Sequence, residues 1–218
     1  MKRTIAIIGA TGNMGAALAK KLSGGSDRLL LFARDKDKLT ALAEKIRQQH
    51  PASDLDTMAC QVEASWEADI IIPAIPYHLE KEVAEQIRQV ATRKIVVSIS
   101  NPLNKNFDGL VTAPDSSAAE ELQKLLSHSK IVKAFSTAFA ADFEQPTIHG
   151  QQIDSFLAGD DEESVQIVSE LVTRAGFNPV IAGALSQSRI LENMTALLIQ
   201  INLKYQYRTL AGWKILHN

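Results

Sequence analysis

The stretch Thr4-Ile-Ala-Ile-Ile-Gly9-Ala-Thr-Gly12-Asn-Met-Gly15, running on into Ala-Ala-Leu-Ala-Lys-Lys-Leu22, decides how the rest of the chain is read. The apolar run 5–8 suits a parallel strand covered on both faces. Gly9 can make the tight exit turn. Gly12 lacks the Cβ that would keep a pyrophosphate off the backbone, and Gly15 lets the first helical turn lie against the strand. The helix N-terminus then offers unpaired N–H groups and a partial positive charge. The spacing is G-x-x-G-x-x-G rather than the commoner G-x-G-x-x-G. A tight αβ turn alone needs one glycine. Three of them between a strand and a helix point to a bound dinucleotide.

The 218 residues are 45% hydrophobic and 22% charged, ordinary for a globular chain with a real core. A formal net charge of −2 gives no basic field for nucleic acid. The single cysteine, Cys60, excludes a disulfide within the chain and fits a reducing cytoplasm. It lies in Met58-Ala-Cys-Gln-Val62, which reads as a short strand burying an inert thiol. Met1-Lys-Arg starts like a signal peptide, but the apolar run after it enters the glycine turn, so secretion is not expected. No segment reaches the roughly 18 apolar residues of a membrane span.

Gly24-Gly25-Ser-Asp27 breaks the first helix, and a second strand, Arg28-Leu-Leu-Leu-Phe32, closes the first βαβ unit. The residues after that strand choose the cofactor. An acid there takes the ribose 2′-OH of NAD, and an arginine accommodates the 2′-phosphate of NADP. Here Arg34 comes first, followed by Asp35, Lys36 and Lys38. Asp35 also suits the N-cap of a helix over Lys36–Gln49, which is compatible with Arg34 gripping a phosphate.

Apolar residues 39, 42, 43 and 46 form the inner stripe of that helix. Segment 55–62 reads as a short edge element. Asp69-Ile-Ile-Ile-Pro-Ala-Ile-Pro76 is a central strand ending at the edge where an open α/β sheet binds ligand. Ala74, Ile75 and Pro76 form its exit loop, and His78 suits either a surface position or an acid–base role. A helix over 79–90 and the strand Lys94-Ile-Val-Val-Ser-Ile-Ser100 follow. Asn101 then either donates to a nicotinamide or makes an Asx turn before Pro102. Ser117 caps a helix over 117–126, with Glu120 completing a capping box. Lys130-Ile-Val-Lys-Ala-Phe135 is the next strand and leads to Ser136 and Thr137.

From residue 138 the character changes. The chain divides into a dinucleotide-binding domain, 1–137, and a smaller C-terminal substrate and dimerisation portion, 138–218. In the second, Asp160-Asp-Glu-Glu163 places acids at a helix N-terminus, and 178–183 is a strand. A last helix over 186–207 has Ile190, Met194, Leu197, Leu198 and Ile201 as its apolar stripe, and Arg189 and Glu192 pair along its surface. The fold expected is a Rossmann-type, doubly wound, mainly parallel sheet with a smaller α/β portion.

With those residues laid out, the chain resembles the F420-dependent NADP oxidoreductases over nearly its whole length. The resemblance rests on the glycine turn 9–15, Arg34 with Lys38, Ile75-Pro76 and Lys130-Ile-Val-Lys-Ala-Phe. It continues in Ala158-Gly-Asp-Asp161, Ala182-Gly-Ala-Leu-Ser-Gln-Ser-Arg189 and Ala211-Gly-Trp-Lys-Ile215. The first module is also similar to the reductase domain of STEAP-type metalloreductases. The resemblance implies NADP(H) held by Thr11, Gly12, Asn13 and Met14, with Arg34 and Lys38 on the 2′-phosphate. Ala74, Ile75 and the 134–137 stretch, including Thr137, would line the nicotinamide. The deazaflavin F420 would lie between the cofactor and the C-terminal portion, near Ala211. A homodimer joined through that portion is also implied. Ser136 departs from members that carry a histidine after this strand.

The residues therefore point to an NADP(H)-dependent oxidoreductase. It would move a hydride between the nicotinamide and a flat acceptor, either F420 or a flavin such as FMN. Hydride transfer needs orientation and a dry site rather than a nucleophile. The sequence offers no G-x-S-x-G, C-x-x-C or H-E-x-x-H, so no catalytic residue and no metal ligand is assigned. The partner expected is a small redox co-substrate, with neither nucleic acid nor membrane. The alternative is a non-catalytic NADP(H) sensor acting through a protein partner, distinguished by a filled space over the nicotinamide.

Overall fold

A computed structural model describes residues 2–207 and 210–216; Met1 of the Met1-Lys-Arg start lies outside them. The chain alternates β1 (Thr4–Ile8), α1 (Asn13–Leu22), β2 (Arg28–Phe32), α2 (Lys36–Gln49), β3 (Asp54–Met58), α3 (Gln61–Glu67), β4 (Ile70–Pro73) and α4 (Tyr77–Ile87). It continues with β5 (Ile95–Ser98), α5 (Ala118–Leu125) and β6 (Lys130–Lys133). After a 3-10 turn at Ala140–Phe143 come a small hairpin, β7 (Thr147–Ile148) and β8 (Gln151–Gln152), then β9 (Asp154–Gly159), α6 (Glu162–Arg174), β10 (Asn178–Gly183) and α7 (Ser188–Tyr205).

Eight strands form one sheet in the order β10-β9-β6-β5-β4-β1-β2-β3. The chain runs outward from β1 through β2 to β3, then crosses back to β4 and continues the other way. The reversal between β1 and β4 is the switch point at which open α/β sheets bind ligands. All pairings from β3 to β6 are parallel. Strand β9 joins β6 antiparallel, and β10 lies parallel to β9. The portion after 138 thus extends the same sheet.

The central strands β1, β4 and β5 are buried on both faces, which is why their sequences are mostly unbroken apolar runs. One core lies under α1, α2 and α6 and includes Leu18, Leu39, Ile46, Val168, Phe143 and Phe177. The other lies under α3, α4 and α5 with Val83, Ile87 and Leu122. Leu191 of α7 packs with Phe156, and Trp213 joins this third cluster. The caps expected at Asp35, Ser117 and Asp161 are present, each side chain accepting from the backbone N–H three residues on.

Three local readings are corrected. The strand does not run on to residue 62: β3 ends at Met58 and Cys60 is the N-cap of α3, half-buried rather than buried. That seven-residue helix is too short to show a stripe, so its first residues read as the end of a short edge strand. The stripe of α7 is rotated: of the expected residues Leu198 is buried and Met194 packs on the third cluster, but Ile190 and Leu197 are not part of it. Ile190 and Leu197 are exposed by 58% and 48%, while Ser188, Leu191, Glu192, Thr195 and Leu198 face inward. Arg189 and Glu192 do not pair with each other. Arg189 forks onto Glu120 at 2.6 and 2.8 Å, and Glu192 is fully buried against Lys133.

Candidate functional site

At the carboxyl edge of β1 the chain turns at Gly9, whose φ of +88° belongs to the left-handed region. Its N–H and that of Ala10 both donate to the Phe32 carbonyl, at 2.8 and 2.9 Å, tying the turn to β2. A Cβ on Gly9 would lie 2.4 Å from the Ala74 carbonyl oxygen, and one on Gly15 would lie 2.3 Å from the Gly9 carbonyl oxygen. Both positions therefore exclude a side chain on packing grounds alone. Gly12 differs. A Cβ there meets nothing nearer than 3.4 Å, and the residue is exposed at the N-cap of α1. The space over Gly12 is open, as an approaching pyrophosphate requires.

A cavity of about 620 Å³ opens beside this turn, lined by Gly9, Thr11, Gly12, Arg34, Asp35, Lys38, Ala74, Ile75 and Pro76. The opposite wall comes from Cys60, Gln61, Leu79, Glu82 and Gln86 on α3 and α4, with Gln61 hydrogen-bonded to Gln86. Sequence reasoning missed this wall. The only available clue was that the β3 exit must share the carboxyl edge of β1 and β2.

The charges at the mouth are arranged by the cap. Asp35 accepts from the Lys38 N–H at 3.1 Å, and its other oxygen holds Lys38 Nζ at 3.1 Å. These contacts lower the Asp35 carboxyl below its ordinary range, chiefly through the backbone N–H. Asp35 is thus committed to Lys38 and the helix. Arg34 is exposed and has no ion pair among the described residues, leaving its guanidinium available to an anion. This donor set fits a dinucleotide with an additional phosphate on its adenosine ribose.

Asn13, Met14 and Gly15 lie in the first turn of α1, and Asn13 faces a second cavity on the other side of the cradle. Asn101 and Thr137 follow the carboxyl ends of β5 and β6 and do not line this cavity. Asn101 Nδ2 donates to the Ser136 carbonyl at 3.0 Å, while its buried Oδ1 has no partner among the described residues. Thr137 is fully buried, and its hydroxyl accepts from the Phe156 N–H at 3.3 Å. Phe135 adopts φ +59° where the chain leaves β6 and is buried against Phe143, with ring centroids 5.8 Å apart. Ala211 is half-buried next to Gly212, which packs on Ile153 before Trp213 bridges to Asp154. His78 is exposed on the first turn of α4.

Beneath this edge lies a buried polar network that sequence reasoning did not assemble. Lys133 Nζ reaches Glu192 Oε1 at 2.7 Å and the Ser100 carbonyl. Glu192 also accepts from the Ala118 N–H at 3.0 Å, and the Ser100 hydroxyl donates to Glu80 at 2.7 Å. Burial pushes the Glu80 carboxyl up to about 7. Thr195 Oγ1 donates to the Ser136 carbonyl at 2.7 Å. The exits of β5 and β6 are thereby tied to α7, giving the edge a fixed shape.

Residues 4–102 match the family model described as NADP oxidoreductase, coenzyme F420-dependent. The chain is 32% identical over 213 residues to an F420-dependent NADP reductase of Methanocaldococcus jannaschii, covering 93% of each. An F420-dependent NADP reductase of Methanothermobacter marburgensis is 26% identical, with 97% of each chain covered. A solved structure, of a candidate F420-dependent NADP-reductase from Arthrobacter sp. FB24, superposes with a TM-score of 0.84 at 21% identity. That superposition covers 98% of this chain and 99% of the other. The glycine turn, the arginine after β2 and similarity over 93% of the chain agree: the chain belongs to the family of coenzyme F420-dependent NADP oxidoreductases.

Proposed function

We propose that this oxidoreductase transfers a hydride between NADP(H) and a deazaflavin of the F420 type. The observation that carries the cofactor half is Arg34, without an ion pair among the described residues at the mouth of the cavity while Asp35 is occupied by Lys38. The acceptor half rests on similarity across nearly the whole chain to reductases named for F420.

In this reading Gly9, Thr11, Gly12, Asn13, Met14 and Gly15 cradle the pyrophosphate. Arg34 and Lys38 hold the 2′-phosphate, and Ala74, Ile75 and Pro76 flank the ribose path. The buried Oδ1 of Asn101, which has no partner among the described residues, accepts from the carboxamide of the nicotinamide, near Thr137. NADP(H), when bound, supplies or accepts the hydride at the nicotinamide ring. The protein's own work is orientation and exclusion of water: backbone amides and Arg34 fix the cofactor, and the Lys133–Glu192 network keeps the edge rigid. Residues 1–137 bind the dinucleotide. Residues 138–218, with Ala211, cover the acceptor and form a homodimer contact through the exposed Ile190 and Leu197. The lone Cys60 suits a cytoplasmic setting.

The test is turnover. Purified protein with NADPH is mixed with oxidised F420 or with FMN, and reduction is followed by absorbance. F420 should be reduced well ahead of FMN. Tight NADPH binding with neither acceptor reduced would overturn the enzymatic reading in favour of a sensor.

A further inference from the structure

Two carboxyl groups and one ammonium are enclosed together beneath the edge where β5 and β6 end. Glu80 is 4% exposed, and Lys133 and Glu192 are fully buried. With all three ionised, the interior would hold one unbalanced negative charge, which is costly. Their partners show which acid carries the charge. Glu192 receives Lys133 Nζ at 2.7 Å and the N–H groups of Ala118 and Ala119 at 3.0 and 3.4 Å. Glu80 receives the Ser100 hydroxyl at 2.7 Å and has no ion pair among the described residues. Glu192 is therefore the anion of the cluster, and Glu80 holds a proton. Burial, the largest cause, pushes the Glu80 carboxyl up to about 7, so that proton is lost near neutral pH.

The Ser100–Asn101 peptide hangs on this cluster. Glu80 holds the Ser100 hydroxyl, and the Lys133 ammonium holds the Ser100 carbonyl. The next residue, Asn101, donates from Nδ2 to the Ser136 carbonyl, which fixes the orientation of its amide. Other charged groups border Glu80. Glu121 of α5 is engaged by the hydroxyl of Tyr77, three residues before Glu80 on α4. His78, Lys81 and Lys124 line the α4–α5 cavity that Glu80 also lines, and α3 meets α4 through the uncharged pair Gln61–Gln86. Glu192 and Glu121 disfavour a charge on Glu80, and Lys133 favours it. An ionised Glu80 thus competes with Glu192 and the Ser100 carbonyl for the one buried ammonium of the cluster.

We propose that Glu80 is a positioning residue for the nicotinamide: with its proton it holds Ser100 so that Asn101 meets the carboxamide, and without it the Lys133 ammonium is drawn off the Ser100 carbonyl and that contact weakens. The inference rests on the reading of Asn101 given above and deepens it. Glu80 acts through Ser100 rather than on the cofactor itself.

The probes are NADPH, whose reduced ring carries no charge, and 2′-phospho-ADP-ribose, which keeps every phosphate and lacks the nicotinamide. Both are titrated calorimetrically between about pH 6 and 8.5 into the wild type, Glu80→Gln, Glu80→Met and Asn101→Ala. The ratio of the two affinities cancels the titration of the phosphates. In the wild type the advantage of NADPH should fall about fivefold as pH rises through about 7, the worth of one hydrogen bond. Glu80→Gln accepts the same bond and cannot ionise, so it should keep the low-pH advantage throughout. Glu80→Met should show the reduced advantage at every pH. A wild-type ratio that is independent of pH, or a Glu80→Gln protein that follows the wild-type step, overturns the proposal. If Asn101→Ala still abolishes the NADPH advantage in that case, the reading of Asn101 stands. An Asn101→Ala protein with the wild-type ratio overturns both.

Discussion

Lys133 and Glu192 stand 59 residues apart in sequence and form a fully buried ion pair, Nζ to Oε1 2.7 Å. Lys133 ends β6, and Glu192 lies on the inner face of α7 and also receives the first N–H of α5. The pair therefore joins three elements directly beneath the edge assigned to the nicotinamide. Removing one partner of such a pair leaves an uncompensated charge in the interior. Lys133→Ala or Glu192→Ala should each lower stability by roughly 3–5 kcal/mol in urea denaturation. The double variant Lys133→Met/Glu192→Gln should lose less than the sum of the two. Additive losses would show that the pair is not coupled.

The glycines of the cradle separate packing from binding. Gly15→Ala places a Cβ 2.3 Å from the Gly9 carbonyl oxygen, and both atoms belong to backbone that cannot yield cheaply. It should destabilise by about 1–3 kcal/mol, seen as a lower melting temperature. Gly12→Ala meets only contacts of 3.4 and 3.7 Å and should melt close to wild type. Its methyl group occupies the space left for the pyrophosphate, so NADPH affinity should fall by about tenfold or more. A Gly12→Ala protein with wild-type affinity would remove the pyrophosphate from this turn.

Arg34 tests the choice of cofactor. Charge-assisted hydrogen bonds to a phosphate are worth about 1.5–3 kcal/mol each, so Arg34→Ala should weaken NADPH by about 10- to 100-fold. NADH, which lacks the third phosphate, should change little, and Arg34→Asp should reverse the preference. Calorimetric titration of both nucleotides measures this, and equal losses for the two would remove the NADP assignment.

Two buried acids make stability depend on pH. Burial raises the Glu80 carboxyl from 4.5 to about 7 and the Asp142 carboxyl from 3.8 to about 7. Each ionises more readily unfolded than folded. Their contribution is therefore fully present below pH 3.8 to 4.5 and is lost as pH rises to about 7. Asp154, Asp161 and Glu120 are lowered instead, so their contributions are lost only in more acid solution. Urea denaturation should show this contribution declining between about pH 4 and 7, and Glu80→Gln/Asp142→Asn should flatten the decline. Parallel slopes for wild type and variant would count against both assignments.

The outer face of α7 predicts association. Ile190, Leu197 and Leu203 are exposed by 58%, 48% and 63%. Leu197→Asp should leave the fold intact and shift sedimentation toward the monomer. Wild-type protein that sediments as a monomer at every concentration would sink the proposed dimer.

How much was legible in the sequence follows the range of the interactions. The strands β1, β2, β4 and β5 carry apolar runs because both faces are covered, and such runs need no knowledge of partners. The caps at Asp35, Ser117 and Asp161 reach only three residues along the chain. The cradle too is local, since Gly9 and Gly15 meet each other across one turn. The helix α3 and the role of Cys60 were hidden because seven residues carry too little periodicity.

By itself, then, the sequence determined a parallel α/β sheet, a glycine turn at the exit of its first strand, and an arginine directly after its second strand. Tertiary structure decided everything that depends on strand order and helix orientation. It brought α3 and α4 to the far wall of the cavity, set Glu192 against Lys133 rather than Arg189, and turned Ile190 and Leu197 outward. The reason is physical: a helical stripe says that one face is apolar, but which face meets the sheet is settled by a buried ion pair and helix contacts across 59 residues of chain.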